Sequence, residues 1–225
     1  MSEWWSYRPQ DFLLFSPRAY WRLFELQNEA LWPLHLPMLA VAAAILVLVL
    51  RRSSSYASAI PPLLAAIWLF VGWSFLWSRY AAINWAIDYV APLFLLEAAL
   101  LLIAGTAWGG LAFDRGGVPR GIGLLLAFLG VVAYPLLPAV FGRAWPEAEI
   151  FGLAPDPTAI ATLGFLLAAR GRLLGLLFPI PLLWLLFSAA TLGTMGETQA
   201  WLPLLSVLLA LAGLFRFAAV TSAPE

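Results

Sequence analysis

The stretch APDPTAIATLGFLLAARGR, Ala154 to Arg172, sets an aspartate between two prolines at one end and two arginines around a glycine at the other. Its apolar part, Pro157 to Ala169, is 13 residues long. At about 1.5 Å per residue that is about 20 Å of helix, against about 30 Å of hydrocarbon in a bilayer. Asp156 followed by Pro157 is a helix-start signal. The carboxylate can accept a free first-turn amide, and proline at the first helical position gives up no needed donor. Pro155 turns Ala154 away from helical angles and Gly152 adds a second weak point, so IFGLA does not run smoothly into the same helix. The reading is a broken or half helix at 157–169, completed by irregular backbone. Such backbone survives at membrane depth only inside protein or beside a water-filled cavity.

The rest of the chain makes a membrane the relevant solvent. It is 63% hydrophobic and 11% charged, with a mean hydropathy of +0.91, where a soluble domain has about 45–50% apolar and about 25% charged residues. Seven apolar segments follow one another: 34–50, 60–77, 86–112, 121–141, 157–169, 173–192 and 200–219. The expected fold is all-α, a polytopic membrane helix bundle of about seven spans, six if the short segment does not cross. One transmembrane helical domain covers 31–220, preceded by an aromatic-rich segment 1–30 and followed by a tail, 221–225.

Loop charges orient the bundle. If all seven segments cross, one side carries Arg51, Arg52, Arg115, Arg120, Arg170, Arg172 and Arg216. The other has Arg79 and Arg143 in its loops, with Arg8, Arg18 and Arg22 in the amino-terminal segment. By the positive-inside rule the arginine side is cytoplasmic, which puts the amino terminus outside and the carboxyl terminus inside. Most acids agree: Asp88, Glu147, Glu149, Asp156 and Glu197 fall on or toward the outer side. The start of the chain does not read as a cleaved signal peptide. Between Asp11 and Glu29, Arg18, Arg22 and Glu25 lie near one side of a helix, and Trp4, Trp5, Tyr7, Trp21 and Trp32 supply headgroup-seeking rings. An interfacial helix is expected there, or else a helix packed on the next span.

Few residues carry chemistry. Glu97 is the only acid in the apolar centre of a span, where a charge costs about 2.5–3.5 kcal/mol on insertion scales. It must be neutral, partnered or facing water, and Tyr134, Trp73 and Ser188 are possible partners. Asp156 with Thr158 and Thr162 either lines an outward cavity with the free amides of the half helix, or Asp156 simply caps that helix. On the outer face, Asn84 and Asp88 share a helix side, and Arg79 is expected to pair with Asp88 or with an acid of WPEAE. Glu147 and Glu149 read as a solvated acidic loop, and His35 as an interfacial or hydrogen-bonded histidine. Gly105 with Gly109 and Gly171 with Gly175 have the four-residue spacing that lets helices approach closely.

The inventory excludes several functions. There is no cysteine, no lysine and a single histidine, so thiolate clusters, Schiff-base chemistry and histidine metal sites lack their ligands. No Walker loop, GxGxxG or GxSxG motif occurs. No cofactor or metal is expected, nor is nucleic acid at zero net charge. The expected partners are the bilayer itself and a second copy or another membrane protein.

SEWWSYRPQDFLLFSPRAYWRLFE at 2–25, RYAAINWAIDY at 79–89 and AEIFGLAPDPTAIATLG at 148–164 together resemble an uncharacterised family of small bacterial multi-span proteins, a domain of unknown function. The resemblance covers most of the chain and brings no activity or residue roles. It implies a bacterial inner-membrane location. The leading functional expectation is a small-solute or ion transporter or channel whose site lies between the third span and the broken fifth crossing. A non-transporting subunit or sensor that docks a partner through its outer face is the alternative. Third comes an intramembrane enzyme acting on a lipid or isoprenoid, which would need facing acids.

Overall fold

The structure, a computed structural model, describes residues 13, 15–52, 56–107 and 110–221, with side chains as far as Arg216. Trp4, Trp5 and Tyr7, Gly109, and the end of the tail lie outside the described residues. The described elements are helical. They are α1 (Pro17–Leu31), α2 (His35–Arg51), α3 (Ile60–Val71), α4 (Ile87–Thr106), α5 (Gly117–Phe128), α6 (Leu137–Phe141), α7 (Pro155–Leu167), α8 (Pro179–Thr194) and α9 (Trp201–Thr221). A π-helical stretch, Gly72–Trp77, prolongs α3. Between α5 and α6 the chain stays helical but loosens, π-helical over Leu129–Ala133 and 3₁₀ over Tyr134–Leu136. Pro135 and Pro138 explain the loosening, because each lacks an amide and crowds the carbonyl four residues before it, in Val131 and Tyr134.

Five helical segments are long and apolar enough to cross a bilayer: Ala57–Ala82, Ile87–Thr106, Gly117–Phe141, Leu174–Thr194 and Thr198–Arg216. A sixth is reached if α1 and α2, bent by 98° at their junction, count as one broken span. The expected seven is therefore approximate, since α2 has only 17 residues and α7 only 13. The expected third segment, 86–112, also ends early as helix, at Thr106. The chain then turns so that Ala112 and Arg170 exchange backbone hydrogen bonds of 2.9 and 2.7 Å.

α7 is the axis around which the other helices pack. All 13 of its residues are buried, and it touches α5, α8, α9 and α3. Small residues permit this. A Cβ on Gly123 would fall 2.5 Å from the Gly164 carbonyl oxygen, and one on Gly164 would fall 2.5 Å from that of Gly123. A Cβ on Gly130 would lie 2.5 Å from the Pro157 carbonyl oxygen. Thus α5 and α7 meet backbone to backbone, as glycine alone allows.

The half helix starts at Pro155, two residues before the expected Pro157, with extended Ala154 (φ −120°) as its cap residue. Proline suits the first turn because it has no amide to satisfy there. Asp156 consequently sits inside the first turn, and its side chain caps no amide of α7. The irregular segment before it is enclosed by protein, with Phe151, Leu153 and Ala154 buried. Gly152 takes a left-handed φ of 80°, and the Ile150 carbonyl accepts from the amides of Leu153 and Ala154 at 3.0 and 2.8 Å.

The loops sort into two ends. At one, Arg115 N donates to Ala168 O (3.2 Å), Arg120 Nη2 donates to Val49 O and Leu50 O (3.1 and 3.0 Å), and Arg170 pairs with Asp114 at 2.9 Å. At the other end α1 lies over the 145–154 segment. Ser16 caps α1 by accepting from Ala19 N (3.2 Å), with Pro17 at the first helical position. Its buried face is Tyr20, Trp21, Leu23, Phe24 and Gln27. Phe24 packs on Phe75 at 4.6 Å and Tyr20 on Tyr80 at 5.6 Å between ring centres. α1 is therefore seated on the end of the α3 helix by its aromatic side, and its arginine side faces away.

Candidate functional site: a buried aspartate cage

The cage forms where the first turn of α7 meets α8 and the loosened α5–α6 stretch. Asp156 is 1% exposed. Its Oδ1 accepts from Trp184 Nε1 at 2.7 Å. Its Oδ2 accepts from Ser188 Oγ at 2.6 Å and from Tyr134 Oη at 3.2 Å. Trp184 and Ser188 are four apart on α8 and so present one face to the carboxylate. Ser188 lies about six residues, or about 9 Å, below the end of α8 at Thr194. Asp156 is therefore set below the helix ends and not among the loops.

The donor set has a chemical consequence. An indole N–H can only donate, whereas the two hydroxyls can donate or accept. All three donate to a carboxylate. A protonated Asp156 keeps Trp184 on one oxygen and hands its own proton to a hydroxyl that turns round. The same cage thus serves a charged and a neutral aspartate without leaving a buried group unpaired. Among the described residues no arginine pairs with Asp156.

A second acid closes the cage toward α1. Glu149 is 1% exposed, which corrects the expectation of a solvated loop. Its Oε1 accepts from Gln199 Nε2 at 2.6 Å and lies 3.7 Å from Arg143 Nη2. Arg143 also donates to Gln199 Oε1, and its guanidinium stands 3.6 Å over the Trp21 ring. Burial pushes the Glu149 carboxyl up to about 8, and the field of Asp156 adds to this while Arg143 and Gln199 oppose it. Trp21 in turn donates to Glu197 Oε1 at 3.1 Å. Glu147 is partly exposed and meets Arg143 only through its carbonyl, at 3.4 Å.

The other expected site residues take separate places. Thr158 staples the turn before α7, accepting from Gly152 N (2.9 Å) and donating to Ala154 O (2.7 Å). Thr162 accepts from Trp68 Nε1 at 3.0 Å. Arg79 does not pair with Asp88 or WPEAE. Its Nε donates to Gln27 Oε1 at 2.5 Å, because α1 has brought Gln27 over the end of α3. Asp88 is exposed and Asn84 partly so, and Asn84 Oδ1 accepts from Ala86 N at 3.1 Å in a local turn. His35 is bonded as expected, its Nε2 3.1 Å from Asn28 Oδ1.

Glu97 is fully buried, and neither of its oxygens has a hydrogen-bond partner. Of the partners expected for it, Tyr134 and Ser188 have gone to Asp156 and Trp73 is exposed. No hydrogen bond joins Glu97 to Asp156. The structure does not bring the third span's Glu97 to the broken crossing's Asp156; the Asp156 cage draws on α8 and the α5–α6 stretch. On its α4 side it meets Phe94, whose ring is edge-on to Trp184 at 5.2 Å and 4.5 Å from Trp68. Sequence reading missed Trp184, Arg143 and Gln199. Arg143 and the WPEAE acids are neighbours in sequence, which was the available signal; nothing local ties Trp184 or Gln199 to either acid.

Among the described residues no group of three or more His, Cys, Asp or Glu could hold a metal ion. No curated protein and no solved structure matches the chain. A family model covers residues 17–223, from the first turn of α1 to beyond the end of α9, and the chain belongs to that family of unknown function, DUF6064.

Proposed function

We propose that this protein is a transporter or channel for a small solute or ion, with Asp156 as the group that binds it. The observation that carries the reading is a carboxylate buried below the helix ends, held by three neutral donors from two helical segments and paired with no arginine among the described residues. Ionisable residues inside an apolar bundle are costly and mark ion and substrate pathways. A carboxylate whose cage tolerates loss and gain of positive charge suits a mobile counter-ion better than a fixed ion pair would. The beginning of a short helix enclosed in protein is also where several transporter folds hold their ligands. In this reading the bundle sits in a bacterial inner membrane, the arginine-rich end is cytoplasmic, and α1 with the Glu149 segment closes the outer face.

The test is flux in proteoliposomes, with sodium, potassium and methylammonium as probes under an imposed membrane potential. The wild type is expected to pass at least one of these above protein-free vesicles, and Asp156→Asn to abolish that flux while eluting as a folded protein. Equal flux in the two proteins, or none with any probe in the wild type, overturns the assignment.

A further inference from the structure

Glu97 takes no part in the cage, and its surroundings are chemically uniform. It lies about ten residues, or about 15 Å, along the 20-residue α4. The α3–α4 register places it: Gly72 packs against Phe94 and Ala91, and Gly105 against Pro61. Glu97 therefore stands level with Trp68 on α3. No titratable or charged side chain occurs on α3, on its π-helical continuation, on the Leu174–Leu177 turn or on α8. These elements pack on α4 together with the Tyr80–Ala82 turn, whose Tyr80 belongs to the outer end. On α4 itself Asp88 and Tyr89 are exposed near that same end. The one polar side-chain atom of Trp68 is committed to Thr162.

An ionised carboxylate in this place has no charged side chain opposite it and no protein donor among the described residues, so the neutral acid is the form the site admits. A neutral acid there contributes no hydrogen bond and packs no better than leucine or methionine. What distinguishes it from those residues is one exchangeable proton. Each helix of the α3–α4 pair is also internally irregular on the outer side of Glu97. Pro92, one turn earlier in α4, cannot bond the Asp88 carbonyl, and the facing part of α3 is π-helical, a form frequent at functional positions.

We propose that Glu97 is a proton-binding site in the middle of the bundle, neutral at rest and exchanging its proton with water along the α3–α4 seam. This goes beyond the Asp156 reading and stands or falls apart from it, since it uses none of the cage residues. The test is infrared spectroscopy of the protein in lipid vesicles at neutral pH, before and after transfer to D2O. The expected result is a protonated-carboxyl C=O band, separate from that of Glu149, that shifts in D2O and is lost in Glu97→Gln. If that variant fails to fold, Glu97→Asp is expected to keep the band at a displaced frequency. Mass mapping of the wild type after dicyclohexylcarbodiimide treatment is expected to find the adduct on the α4 peptide at Glu97. Absence at neutral pH of a component that Glu97→Gln removes overturns the proposal because Glu97 is then ionised. A band that ignores D2O overturns it because the proton is then sealed. Neither result touches cation flux through Asp156.

Discussion

The geometry of the Asp156 cage predicts that two neutral substitutions of this aspartate will part sharply in stability. In Asp156→Asn the amide oxygen can face Trp184 Nε1, which must donate, while the amide NH2 faces Ser188 and Tyr134, whose hydroxyls can turn to accept. Every hydrogen bond of the cage survives, so the cost should stay within about 1 kcal/mol. Asp156→Ala removes the acceptor. The indole of Trp184 is then stranded, at about 1–3 kcal/mol, and loss of the bonds from the two hydroxyls adds about 1 kcal/mol each. The total is about 3–5 kcal/mol. At about 2–4 °C per kcal/mol for a chain of this size, Tm should fall by about 6–20 °C for Asp156→Ala and by less than about 4 °C for Asp156→Asn. Adding Trp184→Phe should shrink the gap, because the obligate donor is gone. Thermal unfolding in mild detergent, followed by size-exclusion fluorescence, reads all three. Asp156→Ala and Asp156→Asn melting together would refute the account of the cage.

Two other outcomes follow from burial and from the helix seam. Glu149 is held protonated more strongly in the fold than its usual carboxyl value, up to about 8. Its contribution is thus full below the unfolded value of about 4.5 and is lost as pH rises through about 8; Glu149→Gln should flatten the fall in Tm between pH 5 and pH 8, by comparison with the wild type. A Cβ at Gly164 meets the Ala127 Cα at 2.9 Å besides the Gly123 carbonyl, whereas one at Gly175 meets nothing within 4 Å. Gly164→Ala should therefore cost about 1–3 kcal/mol in unfolding free energy and Gly175→Ala about nothing.

The broad architecture was legible because composition and run length act locally. Apolar runs ended by arginines gave the helices, and the shortness of 157–169 marked α7 as something other than an ordinary span. The two-sided arrangement of the loops followed from counting arginines, and the structure does gather Arg115, Arg120 and Arg170 at one end. What was not legible lies between elements. Tyr134 and Ser188 were visible as polar residues in spans, yet only tertiary packing decides that they serve Asp156 and leave Glu97 alone. Glu149 looked solvated because WPEAE is acidic; its burial comes from Gln199 and Arg143, 50 and 6 residues away. The four-residue glycine rule likewise found Gly171 with Gly175. The decisive glycines are Gly123 and Gly130, seven apart on one segment, and Gly164 on α7; they close on α5–α7 backbone contacts that the four-residue rule does not reach.

That seam has a mechanical consequence. Helices that touch through side chains can slide, because rotamers yield; α5 and α7 touch through main-chain atoms, which do not. The two are one strut. Of the groups that enclose the aspartate, Asp156 rides on this strut and Tyr134 on its direct continuation, while Trp184 and Ser188 belong to α8. The cage comes apart most readily by displacement of α8, and least readily along the seam.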